Sequence, residues 1–148
     1  MKKQLFLVSL LAFLVFSCKK TNNGDGNALN GKWEITQVVL RSTGESFQPA
    51  LPLENAPFIH FDNGAFTGRT DRNSISGEYT LGGIDSLRIL SFTRSEVNEN
   101  DFGKAVMNLM ISCQLSSLYP CPPSLVLWES GDRIKITTLW YILHLQRQ

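Results

Sequence analysis

Side chains that carry chemistry are scarce in this chain. It has three cysteines in 148 residues, at positions 18, 113 and 121, and two histidines, His60 and His144. Neither histidine lies in a C-x2-C or H-x3-H spacing, and two ligands do not make a zinc site. No G-x-S-x-G or S-x-x-K nucleophile pattern occurs, and no P-loop or dinucleotide glycine fingerprint. The pair Gly82-Gly83 alone is turn chemistry. His60 and Asp62 share one strand face, but a triad needs a third partner that the sequence does not place. The expectation is therefore no enzyme, no metal and no cofactor. Charge of one sign is missing too. Lys and Arg number 14 against 13 Asp and Glu, and without Lys2 and Lys3 the remainder is close to neutral. A nucleic-acid binder carries a basic surplus, so nucleic acid is not an expected partner. The longest apolar run, 5–16, is too short to span a bilayer.

That run has another reading. Met1-Lys2-Lys3 is a short basic start, followed by the apolar core of a signal peptide. It ends in Val15-Phe16-Ser17-Cys18, which resembles a bacterial lipobox with a loose residue, Phe16, before the small one. The chemistry requires Cys18, whose thiol receives diacylglycerol and whose freed amine takes a further acyl chain. Three acyl chains anchor firmly where one does not. The alternative is an ordinary secretory signal with an incidental cysteine. Residues 1–17 are set aside as a lipoprotein signal peptide. Residues 18–28 (CKKTNNGDGNA), polar and rich in Asn and Gly, are a flexible tether. Residues 29–148 are one domain's worth of chain, long enough to bury a core. Lipid attachment implies a bacterial cell envelope location, anchored to the membrane. The absence of an acidic cluster after Cys18 favours a periplasm-facing anchor.

The domain reads as short strands broken by glycine-bearing turns. In 58–62, Ile59 and Phe61 alternate with Phe58, His60 and Asp62, the period of a two-faced strand. Asn63-Gly64 follows, the strongest short hairpin signal, because a type I′ turn needs positive φ at both central residues. Ala65-Phe66-Thr67 returns as the partner strand. Residues 68–77 (GRTDRNSISG) read as a polar loop, in which Arg69, Asp71 and Arg72 are a candidate contact patch for a partner or an acidic ligand; the bland reading is a solvated turn. Glu78 to Leu81 and Leu87 to Phe92 are further strands, with Leu87, Ile89 and Ser91 expected on one face. Such spacing argues for an antiparallel meander.

Upstream, residues 32–41 form the first strand, with Trp33, Ile35, Gln37 and Val39 on one face and Glu34, Thr36, Val38 and Leu40 on the other. Trp33 is expected to plug one barrel end, with a ligand-stacking role as the alternative. Pro49, Pro52 and Pro57 cannot donate to a ladder, so 42–57 reads as a long loop and a second candidate contact surface. Residues 98–110 predict a helix, with Phe102, Ala105, Val106, Leu109 and Met110 as its core stripe and Asn98 as its N-cap. Met107 and Met110 suit core filling or an adaptable binding face. Cys113 and Cys121 flank a Ser-rich link and are a candidate disulfide in an oxidising compartment; two buried thiols are the alternative. Strands at 125–128, 133–137 and 141–146 complete the chain.

Gly68, Asn73, Gly77 and Tyr79 spell G-x4-N-x3-G-x-Y after the Asn-Gly hairpin. With the opening Leu29-Asn30-Gly31-Lys32-Trp33 and the closing Gly131-Asp132-x-Ile134-x-Ile136, they make 29–147 resemble the META domain of HslJ-like heat-shock lipoproteins. Cysteines that family members often carry beside this motif are absent: Arg72 precedes Asn73, and Thr93 to Glu96 hold none. The resemblance implies a mainly β fold, a small antiparallel β-barrel-like meander of about eight strands with one packed α-helix. It also implies a non-enzymatic envelope role in stress tolerance or maintenance, the family being associated with heat shock and novobiocin resistance. Two alternatives stand beside it: a lipocalin-like barrel holding a small hydrophobic molecule, and a module for an envelope protein partner, such as an inhibitor of a lytic enzyme.

Overall fold

Strands that carry one apolar face must hide it, and this chain does so by rolling its sheet shut. The computed structural model describes residues 28–50, 56–83, 85–111 and 124–148. Its elements are β1 (Gly31–Leu40), β2 (Ser46–Phe47), β3 (Phe58–Asp62), β4 (Ala65–Arg69), β5 (Ser74–Gly82), β6 (Ser86–Arg94), α1 (Asp101–Ile111), β7 (Ser124–Ser130), β8 (Arg133–Thr137) and β9 (Tyr141–Arg147). All pairings are antiparallel, in the order β2-β1-β3-β4-β5-β6-β7-β8-β9, and β9 returns to pair with β1 from Trp33↔Arg147 to Leu40↔Tyr141. Eight strands thus close a barrel. The ninth, β2, is laid on β1 at Val38 and Val39, and α1 packs across the assembly. Closure removes the exposed sheet edges that a flat meander would leave. Among the described residues one seam is thin, β6 and β7 pairing only at Ser86↔Leu125 and Leu87↔Ser124.

Inward positions are filled by large apolar side chains. Trp33, Ile35, Val38, Ile59, Phe61, Ile134 and Leu143 are fully buried, and Val106 and Met107 of α1 join the same core. Phe61 packs edge-on to Tyr79, and Phe66 stacks on Phe92. The barrel has two mouths. At the N-terminal mouth lie the start of β1, the turns at 63–64 and 131–132, and residues 83 and 85. At the helix mouth lie the end of β1, the turns at 70–73 and 138–140, and α1.

The N-terminal mouth is shut by Trp33. Its indole N–H donates to Leu29 O at 2.7 Å, the Arg147 guanidinium lies 4.4 Å over its ring, and Trp128 meets it edge-on at 5.9 Å. Arg147 also donates to Ala28 O and Asn30 O, which straps residues 28–30 across the opening. Asn63 (φ 46°) and Gly64 (φ 93°) have the positive φ pair that the Asn-Gly turn predicts.

Several expectations are corrected. The faces of β1 do not alternate throughout, because Thr36 is an extra residue between Ile35 and Gln37. A bulge of this kind shifts the pleat by one, so Val38 rather than Gln37 and Val39 turns inward. A second bulge, between Glu78 and Tyr79 on β5, makes Leu90 the extra residue of β6. Leu90 is thrown out to 56 % exposure, and Phe92 rather than Ser91 reaches the core. Ser91 instead accepts the Glu78 backbone N–H on its hydroxyl. The expected loop 68–77 is mostly strand: β4 runs to Arg69, β5 begins at Ser74, and 70–73 alone is a turn. Residues 42–57 are not all loop either, since Ser46 and Phe47 pair with β1; 51–55 lie outside the described residues.

Gly77 shows why two polar-loop glycines are strand residues. A Cβ at Gly77 would overlap Ser91 O and come within 2.6 Å of Phe66 Cζ, and one at Gly68 would overlap Phe58 O. Overpacking of this sort costs roughly 1–3 kcal/mol, occasionally more. Gly77→Ala is therefore expected to lower the urea midpoint of unfolding with an unchanged slope. An unchanged midpoint would show that the β5–β6 contact yields freely.

Candidate functional site

The helix mouth is assembled by a polar knot whose centre is Asn73. The turn 70–73 is short because Thr70 N–H donates to Asn73 O at 2.9 Å, and the Thr70 hydroxyl accepts Asn73 N–H at 3.0 Å. Asn73 is 2 % exposed. Its amide nitrogen donates to Val97 O and to Glu99 Oε1, both at 2.7 Å, and its amide oxygen accepts from Val97 N at 2.9 Å and Ser95 Oγ at 3.0 Å. Glu99 Oε1 also accepts the Thr70 hydroxyl and Asn73 N–H. Glu99 Oε2 is buried and has no hydrogen-bond partner among the described residues. It lies against Gly103, where any Cβ would overlap the carboxylate. The close packing at Gly103 is due to Glu99.

The helix starts later than its sequence pattern suggests. α1 begins at Asp101, and the N-cap is Asn100, not Asn98: Asn100 Oδ1 accepts Gly103 N–H at 2.8 Å, which satisfies one of the orphan donors of the first turn. Glu99, expected in the first turn, is folded back onto Asn73. The predicted stripe holds, and Met107 is buried with it, as core.

Residues 94–99 and α1 border a groove of about 430 Å³, lined by Arg94, Glu96, Val97, Asn98, Glu99, Lys104, Met107 and Asn108. That is within the usual range for small-molecule sites, roughly 300–1,000 Å³. Val97, half exposed, supplies apolar surface, while Met107, though it borders the groove, is buried. The Arg94 side chain makes no hydrogen bond or ion pair among the described residues, while Lys104 makes an exposed ion pair with Asp101 at 3.2 Å. Asn108 reaches Tyr141 Oη at 3.5 Å, tying α1 to β9.

The residues singled out from the sequence fall in three places. Asn73 organises the helix mouth. Gly68 and Gly77 permit strand contact beside it. Tyr79 belongs to the other mouth, where its hydroxyl donates to Asn30 Oδ1 at 3.3 Å, and burial raises its pKa. The patch of Arg69, Asp71 and Arg72 is largely engaged: Arg72 donates to Asn98 O at 3.0 Å, Asp71 accepts from Asn100, and Arg69 makes a long contact to Thr70 O. Arg94, Val97, Glu99, Asn100 and Lys104 went unnoticed in the sequence as a site; only the Asn-Glu-Asn run before the apolar stripe signals a helix start. His60 is exposed on β3. His144 is half buried on β9, its pKa lowered by burial and by Lys135. Among the described residues no three His, Cys, Asp or Glu side chains are grouped to hold a metal, and no helix is long and apolar enough to cross a membrane. Cys18, Cys113 and Cys121 lie outside the described residues.

No protein-family model and no curated protein matches the sequence. Solved structures do match in fold. A lipocalin-like protein from Bacteroides uniformis superposes with a TM-score of 0.51 at 16% identity, over 82% of this chain and 99% of that one. A protein from Burkholderia xenovorans, solved by NMR, gives a TM-score of 0.57 at 11% identity, over 81% of this chain and 83% of that one. At such identities the likeness is one of fold alone, a closed antiparallel barrel with one helix.

Proposed function

We propose that this protein is a non-enzymatic, lipid-anchored binding barrel of the bacterial envelope, which takes a small amphiphilic molecule at the helix mouth. The observation that carries the reading is the groove beside α1. There the guanidinium of Arg94, without a partner among the described residues, and the amides of Asn98 and Asn108 flank the exposed Val97 side chain. A site that joins apolar surface to a few directed polar groups is the common form of a ligand pocket. The described inward positions of the barrel carry Trp, Phe, Ile, Leu and Val, so the ligand belongs outside the core, under the helix edge. The lipocalin-like fold supports this reading. The resemblance to META domains adds an envelope role in stress tolerance.

The test is titration with the anionic amphiphile 1-anilinonaphthalene-8-sulfonate. Saturable, stoichiometric fluorescence is expected, with affinity at least about tenfold weaker in Arg94→Glu, the equivalent of about 1.4 kcal/mol. Equal affinity in the variant removes Arg94 from the site. A mass spectrum of the gently purified chain that shows no small-molecule adduct, together with capture of one protein by crosslinking through 94–99, favours a protein partner instead.

A further inference from the structure

The thin seam between β6 and β7 leaves a strand edge open. β5 pairs with β6 over its whole length, from Gly82↔Ser86 to Ile75↔Arg94, whereas β7 reaches only Ser86 and Leu87. Backbone groups point alternately to the two sides of a strand. Ser95 N–H donates to Ser74 O on the β5 side at 3.1 Å, so Phe92 and Arg94, out of phase with it, face away from β5. Ile89 faces away as well, because its partner Tyr79 turns its own N–H to Gly64 O on the β4 side. Among the described residues these three have no ladder partner on their open side.

Prolines explain why β7 stops. Val126 N–H donates to Asp85 O at 2.7 Å, so Val126 and then Ser124 are the β7 residues whose backbone faces β6. Continued in that register, Pro122 would stand opposite Ile89, and Pro120 would be the next to face β6. Proline has no N–H to donate, so a longer β7 cannot complete the ladder along this edge.

An open edge is matched by any extended backbone, which is the basis of strand addition. Charge narrows the partner. β6 (SLRILSFTR) carries Arg88 and Arg94 and no Asp or Glu. Neither guanidinium makes an ion pair among the described residues. Two copies of β6 laid edge to edge would gather four guanidiniums with no carboxylate on either strand, and like charges across a strand pair destabilise it. Leu90, the bulged residue between the two arginines, is 56 % exposed and adds apolar contact. We propose that the β6 edge from Ile89 to Arg94 takes an extended segment of a partner protein as an added strand. That segment carries carboxylates toward both ends, roughly 20 Å apart at the ordinary rise per residue, and apolar side chains between them. The pairing is independent of amphiphile binding beside α1, although Arg94 borders both.

The test is selection of random peptides, displayed on phage, against the full chain in detergent. Extended sequences rich in β-branched residues, with Asp or Glu toward their ends, are expected to be enriched. A synthetic copy of the enriched peptide should bind about tenfold or more weakly to Arg88→Glu, while that variant keeps its affinity for the fluorescent amphiphile. N-methylation of the alternate peptide amides that face β6 should abolish binding, and methylation of the intervening amides should not. Amide hydrogen exchange at Ile89, Phe92 and Arg94 should be fast in the free chain and slow in the complex. Slow exchange in the free chain at every concentration places a segment of the same chain on the edge, and protection that grows with concentration places a second copy there. Either result overturns the proposal. So does a selection that enriches no peptide, one whose peptides lack carboxylates, or binding indifferent to which amides are methylated.

Discussion

Trp33→Ala should unfold much of the population. Truncating a buried tryptophan costs about 3–5 kcal/mol, and a domain of this size has only about 5–15 kcal/mol in total. Three losses coincide here. The largest fully buried side chain leaves a void at the end of the barrel. The Leu29 carbonyl loses its indole donor. Arg147 and Trp128 lose the ring they pack against, and with it a cation–π contact of roughly 0.5–2 kcal/mol. Since β1 pairs with β3 and β9 together, damage at Trp33 loosens the strand that closes the barrel. Trp33→Phe separates the effects, since it keeps an apolar ring and removes only the N–H donor and some volume. Urea unfolding followed by circular dichroism should rank wild type, then Phe, then Ala, with the last pair well apart. An alanine variant within about 1 kcal/mol of wild type would falsify the plugging role, because truncating a packed tryptophan to alanine costs about 3–5 kcal/mol.

Asn73→Ala is the second large effect, expected at about 3 kcal/mol. The side chain is nearly inaccessible and makes four hydrogen bonds, to Val97 O, Val97 N, Ser95 Oγ and the Glu99 carboxylate. A single net hydrogen bond is worth about 1 kcal/mol, but a buried polar group left unpaired costs about 1–3 kcal/mol, more if charged. Among the described residues one buried Glu99 oxygen already has no partner, so losing the Asn73 amide leaves the carboxyl group still less satisfied. Asn73→Ala with Glu99→Ala removes both ends of that contact and should be milder than the two single changes added together, the signature of coupled sites. Because the knot fixes residues 97–99, which border the groove, Asn73→Ala should also weaken binding of the fluorescent amphiphile. Retained affinity would show that the groove keeps its shape without the knot.

Legibility of the fold follows from which interactions are local. The Asn63-Gly64 turn and the alternation of Ile59 and Phe61 depend on neighbours a few residues apart, and both are readable in the chain. So is the stripe Phe102, Ala105, Val106 and Leu109, which predicts α1 to within three residues at its start. Trp33 is identifiable as core because a tryptophan opening a strand has few other uses. The candidate site was largely illegible. Asn73 stood out for its spacing, but its partners Val97 and Glu99 are 24 and 26 positions away, and nothing local couples them. Residues 68–77 look like a loop because they are polar. They form strands because Gly68 and Gly77 let backbones and Phe66 approach where any side chain would collide, a fact of packing and not of composition.

The sequence by itself thus determined the β-rich class, the hairpins, the single helix among the described residues and the central place of Trp33, all through short-range periodicity and turn chemistry. Tertiary structure decided the rest. The bulges at Thr36 and Leu90 choose which side chains face inward, because one extra residue inverts a strand's faces only relative to its partner. Closure of β9 on β1 decides that Arg147 lies over Trp33, 114 positions away, and that Trp128 shares its mouth with residues 28–30. The turn at 70–73 meets residues 97–100 only once β4, β5 and β6 are in register. These are contacts between distant segments, and their energies exist only after the barrel has closed.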